Sequence, residues 1–177
     1  MKKYIIVNGS PGAGKTTVGR KIAETIGRCA YIDGDFVIEL HPHVDYKETY
    51  PMQKDNILHM SKNYYGFARC DVVVLSWAMG EPLATELIAD ITAMGYDVQH
   101  FILTCDKEVL KDRWYKDSVA DWRSDEFLVF ATELLDRFSK REDGDIVDTS
   151  SFSIDETVAH IINISARSKR KKDYADV

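Results

Sequence analysis

Apolar residues along the chain fall into short runs separated by longer amphipathic stretches. Tyr4-Ile5-Ile6-Val7 is compact, rich in β-branched residues and followed by a Gly/Pro-rich stretch, a pattern that predicts a buried parallel strand rather than a helix. From Lys15 the apolar positions recur at Val18, Ile22, Ala23 and Ile26. That spacing marks one helix face, and Gly27 predicts its end. A second strand over 30–32 runs into Asp33-Gly34-Asp35, and a helical period covers about 53–68. Val72-Val73-Val74-Leu75 is the strongest strand signal, and Pro82 opens a helix bearing Leu83, Leu87, Ile88 and Ile91 that ends near Gly95.

The alternation continues to the C-terminus. It predicts a strand over 98–103, a helix capped by Asp106, a polar excursion over 116–125, a helix over 125–141, a short strand over 145–147 and a last helix over about 154–166. Five strands alternating with helices predict an α/β fold with a parallel sheet covered on both faces, three layers in all.

Composition narrows the class. The 177 residues suit one domain spanning 1–177, and 45% hydrophobic with 29% charged residues is the make-up of a globular protein. The net charge of -6 argues against a general nucleic-acid binder, whose affinity would come from neutralising phosphates. Cys29, Cys70 and Cys105 are far apart and form no metal-binding spacing, so reduced thiols and a cytoplasmic location are expected. The first apolar run is too short for a signal peptide, and no run is long enough to span a bilayer. The basic stretch Arg167 to Lys172 is expected to be a solvated helix end.

Candidate chemistry begins at the first strand's end. Gly9-Ser10-Pro11-Gly12-Ala13-Gly14-Lys15-Thr16 fits GxxxxGK[ST], the P-loop or Walker A motif, between a strand and a helix. Glycines let backbone N–H groups converge on phosphate oxygens, and the helix that follows adds its positive N-terminal end. Residues 9–17, Thr17 included, are therefore the expected cradle for ATP or GTP, with Lys15 at the β- and γ-phosphates and Thr16 on Mg²⁺.

Asp33 and Asp35, two apart at a strand end, can both face one cleft. Phosphoryl transfer needs one carboxylate for Mg²⁺ and one to accept a hydrogen bond or proton from an attacking hydroxyl. Asp33 is assigned to the metal and Asp35 to the acceptor.

With the P-loop, the Asp33-Gly34-Asp35 segment and an arginine-bearing region at Arg113, the chain resembles the small P-loop kinases of the shikimate kinase, gluconate kinase and chloramphenicol phosphotransferase group over nearly its whole length. The resemblance implies strand order 2-3-1-4-5, an acceptor site over about 36–70, a small lid over about 113–125 and an adenine site near the last strand. Ser76-Trp77-Ala78-Met79-Gly80 stands where shikimate kinases carry glycines, which argues against shikimate as acceptor.

Arg113 is the expected catalytic cation on the lid, with Lys116, Arg123 and Arg137 as further candidates. Arg69 and Trp77 are expected at the acceptor, along with His41, Pro42 and His43. Arg69 is the only arginine between Phe36 and Asp112, whereas phosphate-bearing acceptors are usually held by guanidinium forks. The expected activity is ATP-dependent, Mg²⁺-assisted transfer of the γ-phosphoryl group to a small hydroxyl-bearing acceptor, by a monomer or homodimer. A nucleoside or nucleoside monophosphate kinase and a nucleotide-gated ATPase or GTPase switch are the alternatives. No Asn-Lys-x-Asp guanine signature is present, and the third strand ends in Ser76 rather than an acid.

Overall fold

Tyr4, Ile5, Ile6 and Val7 are all fully buried, because the strand that carries them, β1 (Lys3–Gly9), lies in the middle of the sheet. The structure is a computed structural model that describes residues 1–42, 44–116 and 124–173, without the side chains from 168 onward. After β1 come α1 (Lys15–Thr25), β2 (Cys29–Asp33), a 3-10 turn (Gly34–Phe36), α2 (Tyr46–Gly66), β3 (Val72–Ser76) and α3 (Glu81–Ala93). The chain continues through β4 (Asp97–Thr104), α4 (Lys107–Lys116), α5 (Asp125–Phe138), β5 (Asp145–Asp148) and α6 (Ile154–Asp173).

The five strands are parallel in the order β2-β3-β1-β4-β5, as the resemblance implied. Alternation along β1 divides the core. Tyr4 and Ile6 pack with α2 and α3 residues such as Ile57, Leu87 and Ile91, while Ile5 and Val7 pack with Val18 and Ile22 of α1 and Val158 and Ile161 of α6. Register brings the carboxyl ends of three strands level: Val7 and Asp33 both pair with Ser76. Open α/β sheets bind ligands at this edge.

Several boundaries differ from the sequence expectation. Helix α2 begins at Tyr46, not near residue 53, because the Asp45 carboxylate caps it by accepting from Lys47 N at 2.8 Å. Pro51 lies inside this helix. Gly27 is not the left-handed residue that ends α1. Arg28 takes that conformation (φ 59°), and its guanidinium pairs with Asp71 at 2.9 Å, fastening the α1–β2 turn to the loop before β3. Helix α5 stops at Phe138, which frees Arg141 from the helix, and α6 runs on through the basic stretch to Asp173. No helix among the described residues is long and apolar enough to cross a membrane.

Candidate phosphoryl-transfer site

The loop between β1 and α1 is held by backbone geometry that side chains would spoil. Gly9, Gly12 and Gly14 all have positive φ. A Cβ on Gly9 would lie 2.6 Å from the Leu103 carbonyl oxygen, and one on Gly12 would press on Leu110 and Trp114 of α4. Gly14 differs: a Cβ there would meet nothing within 4 Å. The space beside Gly14 at the N-terminus of α1 is thus open, at the helix end whose dipole favours an anion. Lys15 is buried and its ammonium donates to Ser10 O at 3.0 Å, curled over the loop.

Ser76, buried at the end of β3, donates to Lys15 O at 2.9 Å. Helix α1 comes so near that a Cβ on Gly19 would lie within 2.1 Å of the Ser76 hydroxyl. At this strand end, then, a hydroxyl buttresses the P-loop helix, and the acid stands one strand over, on β2.

The two aspartates have different surroundings. Asp33 is buried, and its oxygens are engaged: Oδ2 accepts from Thr16 Oγ1 at 3.3 Å and Tyr31 Oη at 3.1 Å, and Oδ1 accepts from Asp35 N at 3.2 Å. Its contact with Thr16 brings together the two side chains expected to face Mg²⁺. Asp35 opens to the cleft, and its carboxylate has no hydrogen-bond partner among the described residues. Protein around it still desolvates the carboxylate and raises its pKa; attraction to Lys15 opposes the rise and repulsion from Asp33 adds to it.

Trp77 and Arg69 are not where an acceptor contact would require. Trp77 is 2% exposed, and Gly34 lies so close on its indole that a Cβ would approach within 2.3 Å. Trp77 is thus a floor under the Asp33–Asp35 turn. Arg69 precedes β3 and belongs to a cavity lined by Arg28, Cys29, Phe67 and Cys70 at the amino edge of the sheet, about 17 Å of strand away from the P-loop edge. His41 is exposed and paired with Glu39 at 2.9 Å, pointing to solvent rather than a pocket. His43 and Arg123 lie outside the described residues, as does most of the expected lid.

Arg113 also departs from its expected place over the phosphoryl group. Its guanidinium donates to Thr149 Oγ1 at 2.9 Å and Thr149 O at 2.8 Å, and the Thr149 hydroxyl donates on to Thr104 O at 3.0 Å. Arg113 therefore ties α4 to the loop after β5. Lys116 and Arg137 are exposed.

The sequence reading missed a buried network beneath the site. Asn8 Oδ1 accepts from Gly9 N at 2.8 Å and Met79 N at 2.9 Å, while Nδ2 donates to Met79 O at 3.1 Å and lies 3.2 Å from His100 Nε2. Arg141 donates to the same Met79 O at 2.6 Å and grips Asp143 through two nitrogens at 2.8 and 2.5 Å. His100 Nδ1 lies 2.8 Å from Asp143 O. Desolvation lowers the His100 pKa, whereas the Arg141 guanidinium holds Asp143 below the usual carboxylate range. The P-loop's first residue, the β3–α3 loop and the lead-in to β5 are joined here. The sole sequence signal was a polar residue, Asn8, closing an apolar strand.

Comparison with known proteins agrees with this geometry. A family model described as "AAA domain" matches residues 5–126. The "Putative adenylate kinase" of Pyrococcus furiosus is 29% identical, the match covering 97% of this chain and 89% of that protein. A gluconokinase from Sinorhizobium meliloti superposes with a TM-score of 0.74 at 19% identity, covering 99% of this chain and 98% of that one. A shikimate kinase from Bacteroides thetaiotaomicron superposes with a TM-score of 0.60 at 19% identity, covering 93% and 98%. Matched over more than half its length and built on a 2-3-1-4-5 sheet with a P-loop at its carboxyl edge, the chain belongs to the AAA domain family and has the fold of the P-loop kinases.

Proposed function

We propose that the protein transfers the γ-phosphoryl group of ATP to the hydroxyl of a small acceptor that carries no phosphate of its own. The observation that carries this reading is the contrast between the aspartates: Asp33 is engaged by Thr16, Tyr31 and the Asp35 amide, whereas the Asp35 carboxylate is desolvated and has no hydrogen-bond partner among the described residues. A desolvated, raised-pKa carboxylate facing a phosphate cradle suits a group that receives a hydroxyl proton.

In this reading residues 9–17 hold the nucleotide and Lys15 draws charge from its β- and γ-phosphates. Thr16 and Asp33 would hold Mg²⁺, which neutralises phosphate charge when bound. Two oxygen-bearing side chains fit that ion, since Mg²⁺ keeps several waters and takes further oxygens from the phosphates. Asp35 orients the acceptor oxygen in line with the γ-phosphorus. Arg113 supports the loop after β5 beside the nucleotide.

The likeness to the Pyrococcus furiosus protein favours a second reading, a nucleoside monophosphate kinase. Against it, the acceptor segment offers no guanidinium at this edge: its one arginine, Arg69, lies at the other end of the sheet. An acceptor screen with labelled ATP separates the two. Transfer to phosphate-free hydroxyl compounds, lost in Asp35→Asn with ATP binding retained, supports the first; transfer confined to nucleoside monophosphates replaces it with the second.

A further inference from the structure

Asp33 closes an edge strand. Strand β2 has β3 on one side and, among the described residues, no strand on the other, so the direction of the Asp33 carboxylate rests on its own hydrogen bonds. Oδ1 accepts from Asp35 N at 3.2 Å, and Oδ2 accepts from Thr16 Oγ1 at 3.3 Å and from Tyr31 Oη at 3.1 Å. A carboxylate only 9% exposed depends on such donors to remain charged.

The strand puts Tyr31 in reach of Asp33. Residues two apart point to the same face about 7 Å from one another, a gap that the length of a phenol spans. The Tyr31 ring is half-buried against the core between the sheet and α1. The Arg20 guanidinium lies over it, 5.4 Å from the ring centre. Beside Arg20, a Cβ on Gly19 would come within 3.0 Å of Tyr31 Cε2, the ring atom next to the one that carries the hydroxyl. Glycine inside a helix weakens it relative to alanine; here the missing side chain admits both Ser76 and the edge of the Tyr31 ring.

A phenylalanine at 31 would fill the same space under the same guanidinium. The hydroxyl adds a hydrogen bond and nothing to the packing. A phenol keeps its proton at neutral pH and can donate it once. Ser76 and Arg20 also neighbour this hydroxyl, but Asp33 is the one anion among the three and draws the proton.

Resting on the assignment of Mg²⁺ to Thr16 and Asp33 above, we propose that Tyr31 is a positioning residue for that metal site. Its hydroxyl aims the Asp33 carboxylate through Oδ2, and Gly19 and Arg20 of α1 hold the phenol where it can do so. Of the two side chains on Oδ2, Thr16 would also give a lone pair to the ion, whereas the Tyr31 proton goes to Asp33 alone. Hydrogen bonds behind a ligating group set how well it meets a metal, and losing one costs about 10- to 100-fold in metal affinity. Asp33 supplies the oxygen, and Tyr31 its direction.

The test is calorimetry on the full chain as wild type, Tyr31→Phe and Asp33→Asn. The probe is the non-hydrolysable imido analogue of ATP, titrated once in EDTA and once in excess Mg²⁺. The ratio of the two Kd values measures what the protein adds to metal binding, with no turnover involved. Tyr31→Phe keeps the ring, so its affinity in EDTA should match wild type, while the gain from Mg²⁺ should shrink about 10-fold. An undiminished gain in Tyr31→Phe overturns the proposal. So does an equal loss with and without Mg²⁺, which would make Tyr31 a support of the phosphate loop instead. Asp33→Asn separates this inference from the reading beneath it. If the gain from Mg²⁺ disappears in Asp33→Asn but is kept in Tyr31→Phe, the inference alone is lost; if Asp33→Asn keeps the gain, or wild type has none, the metal assignment is lost with it.

Discussion

The Asn8 side chain pairs with the Met79 backbone on both sides, accepting from its N–H at 2.9 Å and donating to its C=O at 3.1 Å. Because Asn8 Oδ1 also receives the Gly9 N–H, the amide has one permitted orientation: two backbone donors must face its oxygen. Its nitrogen therefore faces His100 Nε2, which must accept, and His100 carries its proton on Nδ1, toward the Asp143 carbonyl.

Replacing Asn8 by Ala would leave the Gly9 and Met79 amides without their partner next to the phosphate loop. A loss of about 1–3 kcal/mol for each unpaired N–H is expected, read by urea denaturation, with weaker ATP binding by calorimetry. Unchanged ATP affinity would show that the loop holds its shape without this anchor.

The His100 geometry carries a pH dependence. Its folded pKa lies below the ordinary 6.5 because burial disfavours the cation, outweighing Asp143 and Asp145, while Arg141 adds to the lowering. Between that lowered value and 6.5 the unfolded chain binds the proton and the folded chain does not, so stability is full above 6.5 and falls as pH drops through this window. Asp143, whose pKa is lowered from 3.8, contributes only at more acidic pH. Urea midpoints between pH 5 and 8 should decline toward acid in the wild type and flatten in His100→Asn; parallel curves for the two proteins would remove His100 as the cause.

Arg113 serves as a strut to Thr149 in this structure rather than a cation on the transferred group. Arg113→Lys cannot reproduce the two-pronged contact. The expected outcome is a rise of about 3- to 10-fold in KM for ATP with a smaller change in kcat. A cation acting on the transition state would show the reverse, a kcat loss of about 100-fold or more.

Asp35 is predicted to trade stability for chemistry. A carboxylate whose folded pKa is raised destabilises the fold as pH climbs from 3.8 through the raised value, and that cost is fully present at neutral pH. Asp35→Asn should therefore raise Tm at pH 7 while abolishing transfer. A lower Tm in the variant, measured by calorimetry, would mean that the carboxylate supports the fold instead.

Local pattern was enough to reveal the sheet's strands, the P-loop and the acidic pair, because each rests on neighbouring residues: β-branched runs, glycines at fixed spacing, and alternation at the end of β2. Boundaries slipped where a contact from afar decided them. Tyr46 and Tyr50 stand one helical turn apart, but two positions are too few to mark a helix by themselves; they pack against one another, and Tyr50 against Trp77, from the first two turns of α2. Arg141 looked like the end of a helix until Met79 and Asp143 claimed it.

By itself, then, the sequence determined that a phosphate cradle follows a buried strand and that two carboxylates stand opposite it. Only the tertiary structure decided what each side chain is free to do. Arg69 is carried to the far edge, Trp77 is sealed beneath Gly34, and Arg113 is bound to Thr149, while Asp35 is left without a hydrogen-bond partner among the described residues. Availability depends on partners brought from distant segments by the packing of the sheet and helices, and the spacing of residues along a chain does not encode it.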